Sequence, residues 1–429
     1  MTAVINDKAS LRDAMRRRLA DDLLDARGRT SLRELDGEDE RLLARSLLER
    51  ALTDHARQRI REGLPPLDEV AEAEIVSGVL ADTFGTGALE RYLADPTVTD
   101  VLVHGADVVH VVHADGRRER VPGLASSDED LVEMIRTLAR EAGARFDASG
   151  VEANFALADG SRLFAAVGVS TRPIVVVRRH HLTELAALTD LQRAGMLDAR
   201  LAEFLRALVL GRQNLIVSGG TQAGKTTLCR ALCHEIPADE HVVTIEDTYE
   251  LQLHRSPERH PMVTAMLARP ENTEGAGEVT LAHLTRMALR VSPDRVVVGE
   301  VRGAEVIPML DAMSQGNDGS MGTVHASSSK SATTRLAGYA IRTGQLRLDE
   351  ALFLVATAVD FVVHVARGAD GVRRIVSIRE ITAGGGDGLV ISSSELFLAQ
   401  PGRVAVSTGV PLGREHADAL HAVGFGGLR

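Results

Sequence analysis

Apolar residues recur at two different periods along the chain, and the changes of period divide it. Near the start, Leu11, Met15, Leu19 and Leu23 return every fourth position among arginines and acids, the spacing of one helical face. The stretch Gly63–Glu69, GLPPLDE, stops that pattern with a glycine and a pair of prolines. Short β-type runs then alternate with helical ones: DVLVHG, VVHVVHADGR, SRLFAAVG and PIVVVRRH, with SDEDLVEMIRTLAREAG among them. Past Asn214 the order becomes strand, loop and helix in NLIVSGG and KTTLCRALCHEI, then strands in HVVTIED, RVVVGE and GSMGTVHAS. Nearly continuous valine and isoleucine in such strands marks a parallel sheet covered on both faces.

The predicted fold class is therefore α/β. A P-loop domain with a parallel central sheet is expected over residues 201–429, preceded by a smaller α+β domain over 66–180. A helical N-terminal segment is expected over 1–65, and a polar, partly helical linker over 181–200. The N-terminal helices read as solvated amphipathic faces or as a docking arm for a partner.

Composition narrows the function classes. A chain of 429 residues fits two or three domains, and 44% hydrophobic with 25% charged residues excludes wholesale disorder. A net charge of −11 argues against a general coat for nucleic acid or anionic membrane, and no direct nucleic-acid partner is expected. The longest apolar stretch, ALFLVATAVDFVVHVA, is short for a bilayer and broken by Asp360, and the start lacks a signal-peptide core. A cytoplasmic protein is expected, peripheral at the inner face of the cell membrane through a partner.

Cys229 and Cys233 sit four apart on an expected helix and read as small buried residues; with His234 they are too few to hold zinc. His104, His110 and His113 fall on or beside sheet runs and need no metal to explain them.

The strongest chemical signal is SGGTQAGKTTL. Gly219–Thr226 fits G-x-x-x-x-G-K-[ST], the loop whose backbone N–H groups wrap phosphates while its lysine neutralises them and its hydroxyl meets magnesium. Gly219, Gly220, Thr221, Gln222, Ala223, Gly224, Lys225, Thr226 and Thr227 are the expected contacts for ATP, with Thr226 on Mg2+. Lysine is otherwise found only at Lys8 and Lys330, which strengthens the match.

A ligand in an open parallel sheet sits beyond the carboxyl ends of the strands. Glu246 and Asp247 end one predicted strand, Glu300 another, and His325 a third. Hydrolysis requires one carboxylate near magnesium and one that orients water. Glu246 and Glu300 are both candidates for both duties, the metal contact being partly through water, and His325 is placed to sense the γ-phosphate.

These residues resemble the secretion ATPase superfamily of type II and type IV secretion systems, in its tight-adherence pilus-assembly branch. The resemblance runs from YLADPTVTDVLVHG to about Glu380. It rests on GGTQAGKTT, the acidic box TIEDTYEL, PDRVVVGEVRGAE and the histidine box GNDGSMGTVHAS, in that order. LARPENTEGAGEVT, at Leu267–Thr280, is similar to the branch's connecting stretch. It implies a RecA-like motor domain behind a smaller α+β domain, a hexameric ring, ATP between the domains, and rigid-body motions that push a membrane platform protein to move a pilus. It also implies arginines from the first domain at the nucleotide, matched by Arg162 and Arg178, and a family position at Arg302. The chain departs from the family at Asn154, Phe155 and Ala156, where an arginine is usual, and at Asn317 and Ser327. Gln222 and Ala223 replace small residues that contribute mainly backbone.

A nucleic-acid motor is the weaker enzyme reading, since three tyrosines and no tryptophan leave few stacking surfaces. A nucleotide-responsive scaffold without hydrolysis is the alternative of another class. No N-K-x-D motif supports a GTPase, and no lid-like segment supports a metabolite kinase.

Overall fold

The computed structural model describes residues 11–12, 14–19, 21–23, 37–84, 89–114, 116–144, 146, 150–179, 187–269, 271, 276–382 and 391–428. The expected linker residues 181–186 lie outside them. The chain forms two compact units, Met1–His181 and Leu182–Arg429.

In the first unit the four-residue spacing seen near the start closes a small core. Met15, Leu19 and Leu23 are buried with Ala44, Leu48, Ala51 and Leu52 of helix Gly37–Arg61 and with Ile75, Val76, Val79 and Leu80 of helix Glu69–Phe84. The first of these helices stops just before Gly63, whose φ of 77° suits a residue without a Cβ.

Six antiparallel strands follow: β1 (Val98–His104), β2 (Val108–His113), β3 (Arg118–Val121), β4 (Glu152–Ala156), β5 (Arg162–Ala166) and β6 (Ile174–Arg178). They are ordered β3-β2-β1-β6-β5-β4. Alternate residues such as Val109, Val111, Val175 and Val177 face one core, which helix Asp128–Glu141 joins through Leu131 and Ile135. Ser127 caps that helix by accepting from the Asp130 N–H at 3.1 Å.

Among the described residues the second unit holds nine strands: β7 (Leu215–Gly219), β8 (Val242–Glu246), β9 (Val263–Leu267), β10 (Arg295–Val301), β11 (Met321–His325), β12 (Phe361–Arg367), β13 (Arg373–Thr382), β14 (Ser392–Leu398) and β15 (Val406–Ser407). Their order is β15-β14-β13-β12-β7-β11-β10-β8-β9. The six from β12 to β9 run parallel, as the valine-rich runs predict. Three more extend this parallel centre antiparallel from β12, an extension the sequence pattern does not announce. A tight turn after Arg367 returns the chain beside β12, and a turn that short can only join antiparallel strands.

Side-chain alternation splits the interior in two. Leu215, Val217, Val297, Phe361 and Val363 meet helices Ala199–Leu210 and Lys225–Cys233 on one face. Ile216, Val296, Val298 and Val362 meet helices Val306–Ser314, Ser329–Arg342 and Leu348–Ala358 on the other. Every central strand is thus covered twice, and their carboxyl ends share one rim. At the opposite rim Arg295, fully buried, pairs with Glu240 through Nε at 2.6 Å and a terminal nitrogen at 2.8 Å, and donates to the Val209 carbonyl.

Candidate nucleotide site

The phosphate loop leaves the carboxyl end of β7 and enters helix Lys225–Cys233. Two left-handed residues shape it, Gly224 at φ 97° and Gln222 at φ 59°. Glycine adopts this freely, whereas Gln222 stores about 1 kcal/mol of backbone strain. Gly219 is needed for close approach: a Cβ there would lie 2.4 Å from the Val365 carbonyl oxygen. Among the described residues nothing accepts from the backbone N–H groups of Gly224, Lys225 and Thr226. Unsatisfied donors at the positive end of a helix are what a polyphosphate requires, so these residues fit a bound nucleotide.

Lys225 is buried, and its Nζ donates to the Gly220 carbonyl at 3.0 Å. The same Nζ lies 3.2 Å from Nδ1 and 3.4 Å from Nε2 of His325. His325 Nε2 in turn is 2.7 Å from Glu300 Oε1, a close approach without the alignment of a hydrogen bond. Arg302 Nε lies 3.4 Å from Glu300 Oε2, and its guanidinium also pairs with Asp247. A row of alternating groups therefore crosses the rim from β7 over β11 and β10 to the end of β8. Burial, then the Lys225 charge, hold the His325 pKa below the ordinary imidazole range, so the ring is neutral at pH 7. Burial lowers Lys225 too, while Glu300 and Glu250 oppose the shift.

Glu246 stands apart from that row. Its side chain is buried, and Oε1 accepts from the N–H groups of Glu250 and Leu251, both at 2.9 Å. Oε2 has no hydrogen-bond partner among the described residues. Burial outweighs the two donors and pushes the carboxyl pKa up to about 8, with the charges of Glu250 and Asp247 adding to it. Gly299 makes room for this packing, since a Cβ there would lie 2.9 Å from Glu246 Cγ.

The structure thus brings Lys225, Glu246, Glu300 and His325 to one rim. Thr226 begins the helix beside Lys225, where its hydroxyl could meet a metal ion held chiefly by phosphates. Among the described residues no group of three His, Cys, Asp or Glu is arranged to hold a metal by itself. Magnesium at phosphates commonly needs no more than one or two protein ligands.

Arg162 and Arg178 belong to the first unit, directly across from each other on β5 and β6. Arg162 Nε donates to Asn154 Oδ1 at 3.1 Å, and Arg178 Nε is 2.9 Å from Asp100 Oδ1. Asn317 precedes β11 and so belongs to the end of the sheet away from His325, where its amide donates to the Pro293 carbonyl at 2.6 Å. Ser327 touches Ser331 at 3.1 Å. Cys229 and Cys233 are buried free thiols.

Sequence reading missed three contributors: Gly299, Glu250 and Arg373, whose Nε donates to the Gln222 carbonyl at 3.1 Å. Gly299 sits beside Glu300 in the motif and was legible there. Arg373 is one arginine in an arginine-rich chain and carried no signal.

The family described as "Type II/IV secretion system protein" matches residues 82–371, a span that contains Lys225, Glu246, Glu300 and His325. The chain belongs to that family. A Mycobacterium tuberculosis protein whose name assigns it, provisionally, to conjugal transfer is 38% identical over 307 residues, covering 68% of this chain and 84% of its own. The type IV secretion system protein PtlH of Bordetella pertussis is 36% identical over 197 residues, covering 44% of this chain and 56% of its own. Among solved structures, the VirB11 ATPase of the Brucella suis type IV secretion system is 28% identical, covering 68% of this chain and 91% of its own at a TM-score of 0.36. Among the described residues of this family member no helix is long and apolar enough to cross a membrane.

Proposed function

We propose that this family member hydrolyses ATP with Mg2+ and couples the cleavage to domain movement in a homohexamer. That movement would drive assembly of a tight-adherence pilus, or type II/IV protein secretion, through a platform protein at the inner face of the cell membrane. The observation that carries the reading is the contact row from Lys225 through His325 to Glu300, set beside a buried Glu246 with one unpartnered oxygen.

In this reading the loop Gly219–Thr227 and Lys225 bind the phosphates, and Thr226 and Glu300 are the residues that would hold the metal. Bound Mg2+ would neutralise charge on the phosphate oxygens. Glu246 takes the proton of the attacking water, a task suited to a carboxylate tuned towards neutral pH. His325, touching both Lys225 and Glu300, registers the loss of the γ-phosphate. Arg162 and Arg178 of the first unit supply positive charge to the phosphoryl group.

A conjugal-transfer apparatus is the second reading, favoured by the names of the Mycobacterium tuberculosis relative and of the TrbB protein of Rhizobium radiobacter, 30% identical over 211 residues. Phosphate release by wild type, Lys225→Ala and Glu300→Gln, each with and without single-stranded DNA, separates the possibilities. Wild-type turnover well above both variants supports hydrolysis, and stimulation by DNA moves the reading to conjugal transfer. Three equal background rates replace the motor with a non-hydrolysing scaffold.

A further inference from the structure

The hairpin between β12 and β13 lies where none of the four motifs reaches. β12 is parallel to β7 with Val365 level with Gly219, so Arg367 and the turn after it extend past the sheet on the side of the phosphate loop. Arg373, the first residue of β13, stands directly across from Arg367. Its Nε donates to the Gln222 carbonyl at 3.1 Å, and its Cδ lies 3.1 Å from where a Cβ on Gly224 would be. The arginine therefore bears on both left-handed residues of the loop.

Neither arginine has an acid partner among the described residues. The hairpin's own carboxylate, Asp370, is occupied by Arg374 through two bonds of 2.6 and 2.9 Å. The one bond found for Arg367 goes to the Gly371 carbonyl at 3.1 Å. Like charges directly across an antiparallel pair oppose sheet formation. Desolvation against the loop, then the Arg367 charge, lower the Arg373 pKa, although the residue as a whole remains exposed and its guanidinium charged. A polyanion in the loop would relieve both penalties, and a guanidinium offers it a planar fork of donors.

We propose that Arg373 and Arg367 form a second phosphate-binding element, which completes the nucleotide site from the β12 side of the loop while His325 flanks it from the β11 side. The ligand is the polyphosphate of a nucleoside di- or triphosphate, so the inference rests on the nucleotide reading above. Arg373 also pins the Gln222 carbonyl and thereby holds the loop in its strained, donor-inward shape; Arg367 acts by charge alone.

The test is binding of ATP and of inorganic tripolyphosphate, each with Mg2+, to the full chain at two salt concentrations. Wild type and Lys225→Ala come first: absence of ATP binding by wild type overturns the nucleotide reading itself. With wild-type binding established, Arg373→Ala should weaken both ligands about tenfold, and Arg367→Ala about threefold, each with a shallower salt dependence. Arg373→Lys should fall between. The inference is overturned if both alanine variants bind both ligands as wild type does. It is also overturned if Arg373→Ala loses affinity while Arg367→Ala does not and the salt dependence is unchanged, because the hairpin then only shapes the loop.

Discussion

His325 lies between Lys225 and Glu300, 3.2 Å from the ammonium nitrogen of one and 2.7 Å from a carboxylate oxygen of the other. A neutral imidazole in that place separates two opposite charges that would otherwise collapse onto each other, keeping the lysine free to turn towards phosphate. His325→Ala should therefore lower the turnover number by ~10²-fold while the KM for ATP changes far less, the split expected when an interaction acts after binding. Steady-state phosphate release measures both constants. A proportionate loss in KM with the turnover number intact would contradict the role.

If Glu246 is the base, it sets the pH dependence of the proposed hydrolysis. With a pKa of about 8, the carboxyl is mainly protonated at pH 7 and becomes a base as pH rises. Because kcat/KM reports groups of the free enzyme, it should climb through a limb centred near pH 8, and Glu246→Gln should lack that limb. Stability runs the other way. A carboxyl whose folded pKa is raised favours folding least when ionised, so its cost appears as pH passes from the unfolded value towards 8 and is complete above it. At pH 9, Glu246→Gln should unfold about 2 kcal/mol later than wild type, read by urea denaturation.

His416 makes the opposite kind of contact. On helix Arg414–Ala422, its Nδ1 lies 2.6 Å from the buried Glu380 and its Nε2 3.5 Å from Asp360. Burial disfavours the imidazolium, but the two carboxylates outweigh it and raise the pKa to about 9. Its stabilisation is full below the unfolded value near 6.5 and disappears as pH rises through 9. The melting temperature of wild type should fall across that window, and His416→Gln should flatten the fall while removing up to about 3 kcal/mol at pH 6.

Arg295 and Glu240 set the far rim. Glu240→Ala leaves a fully buried guanidinium without its carboxylate and should cost about 3–5 kcal/mol. Replacing both residues with apolar ones of similar size should recover much of that loss. Denaturation of the two variants side by side distinguishes a stranded charge from lost packing.

The parts of the fold that repeat a period were readable in advance. Val296, Val297 and Val298 announce a strand buried on both faces, and Met15, Leu19 and Leu23 announce one helical face. The N-terminal helices nevertheless pack on each other, where the spacing alone read as a solvated face with a docking arm as the alternative. β9, between HVVTIED and RVVVGE, is not among the predicted strands, because an edge strand of four half-buried residues and an exposed Leu267 has neither strong alternation nor a continuous apolar run. The antiparallel extension was missed because direction depends on turn length, which the apolar pattern does not record. At the site, the motifs named Lys225, Glu246, Glu300 and His325, but not their contacts. Spacing cannot say that Asp247 and Glu300 share Arg302, or that Gly299 exists to admit Glu246.

That missing side chain at position 299 has a consequence for how the protein waits. Glu246 is tucked so tightly that it stays uncharged while the pocket is idle, and an incoming molecule bearing several negative charges meets one repelling neighbour fewer. In the proposed mechanism, positive charge arriving with that molecule would let Glu246 surrender its proton and become reactive. Under the proposed hydrolysis the acid would be armed by the arrival of fuel, and water in an empty pocket left alone.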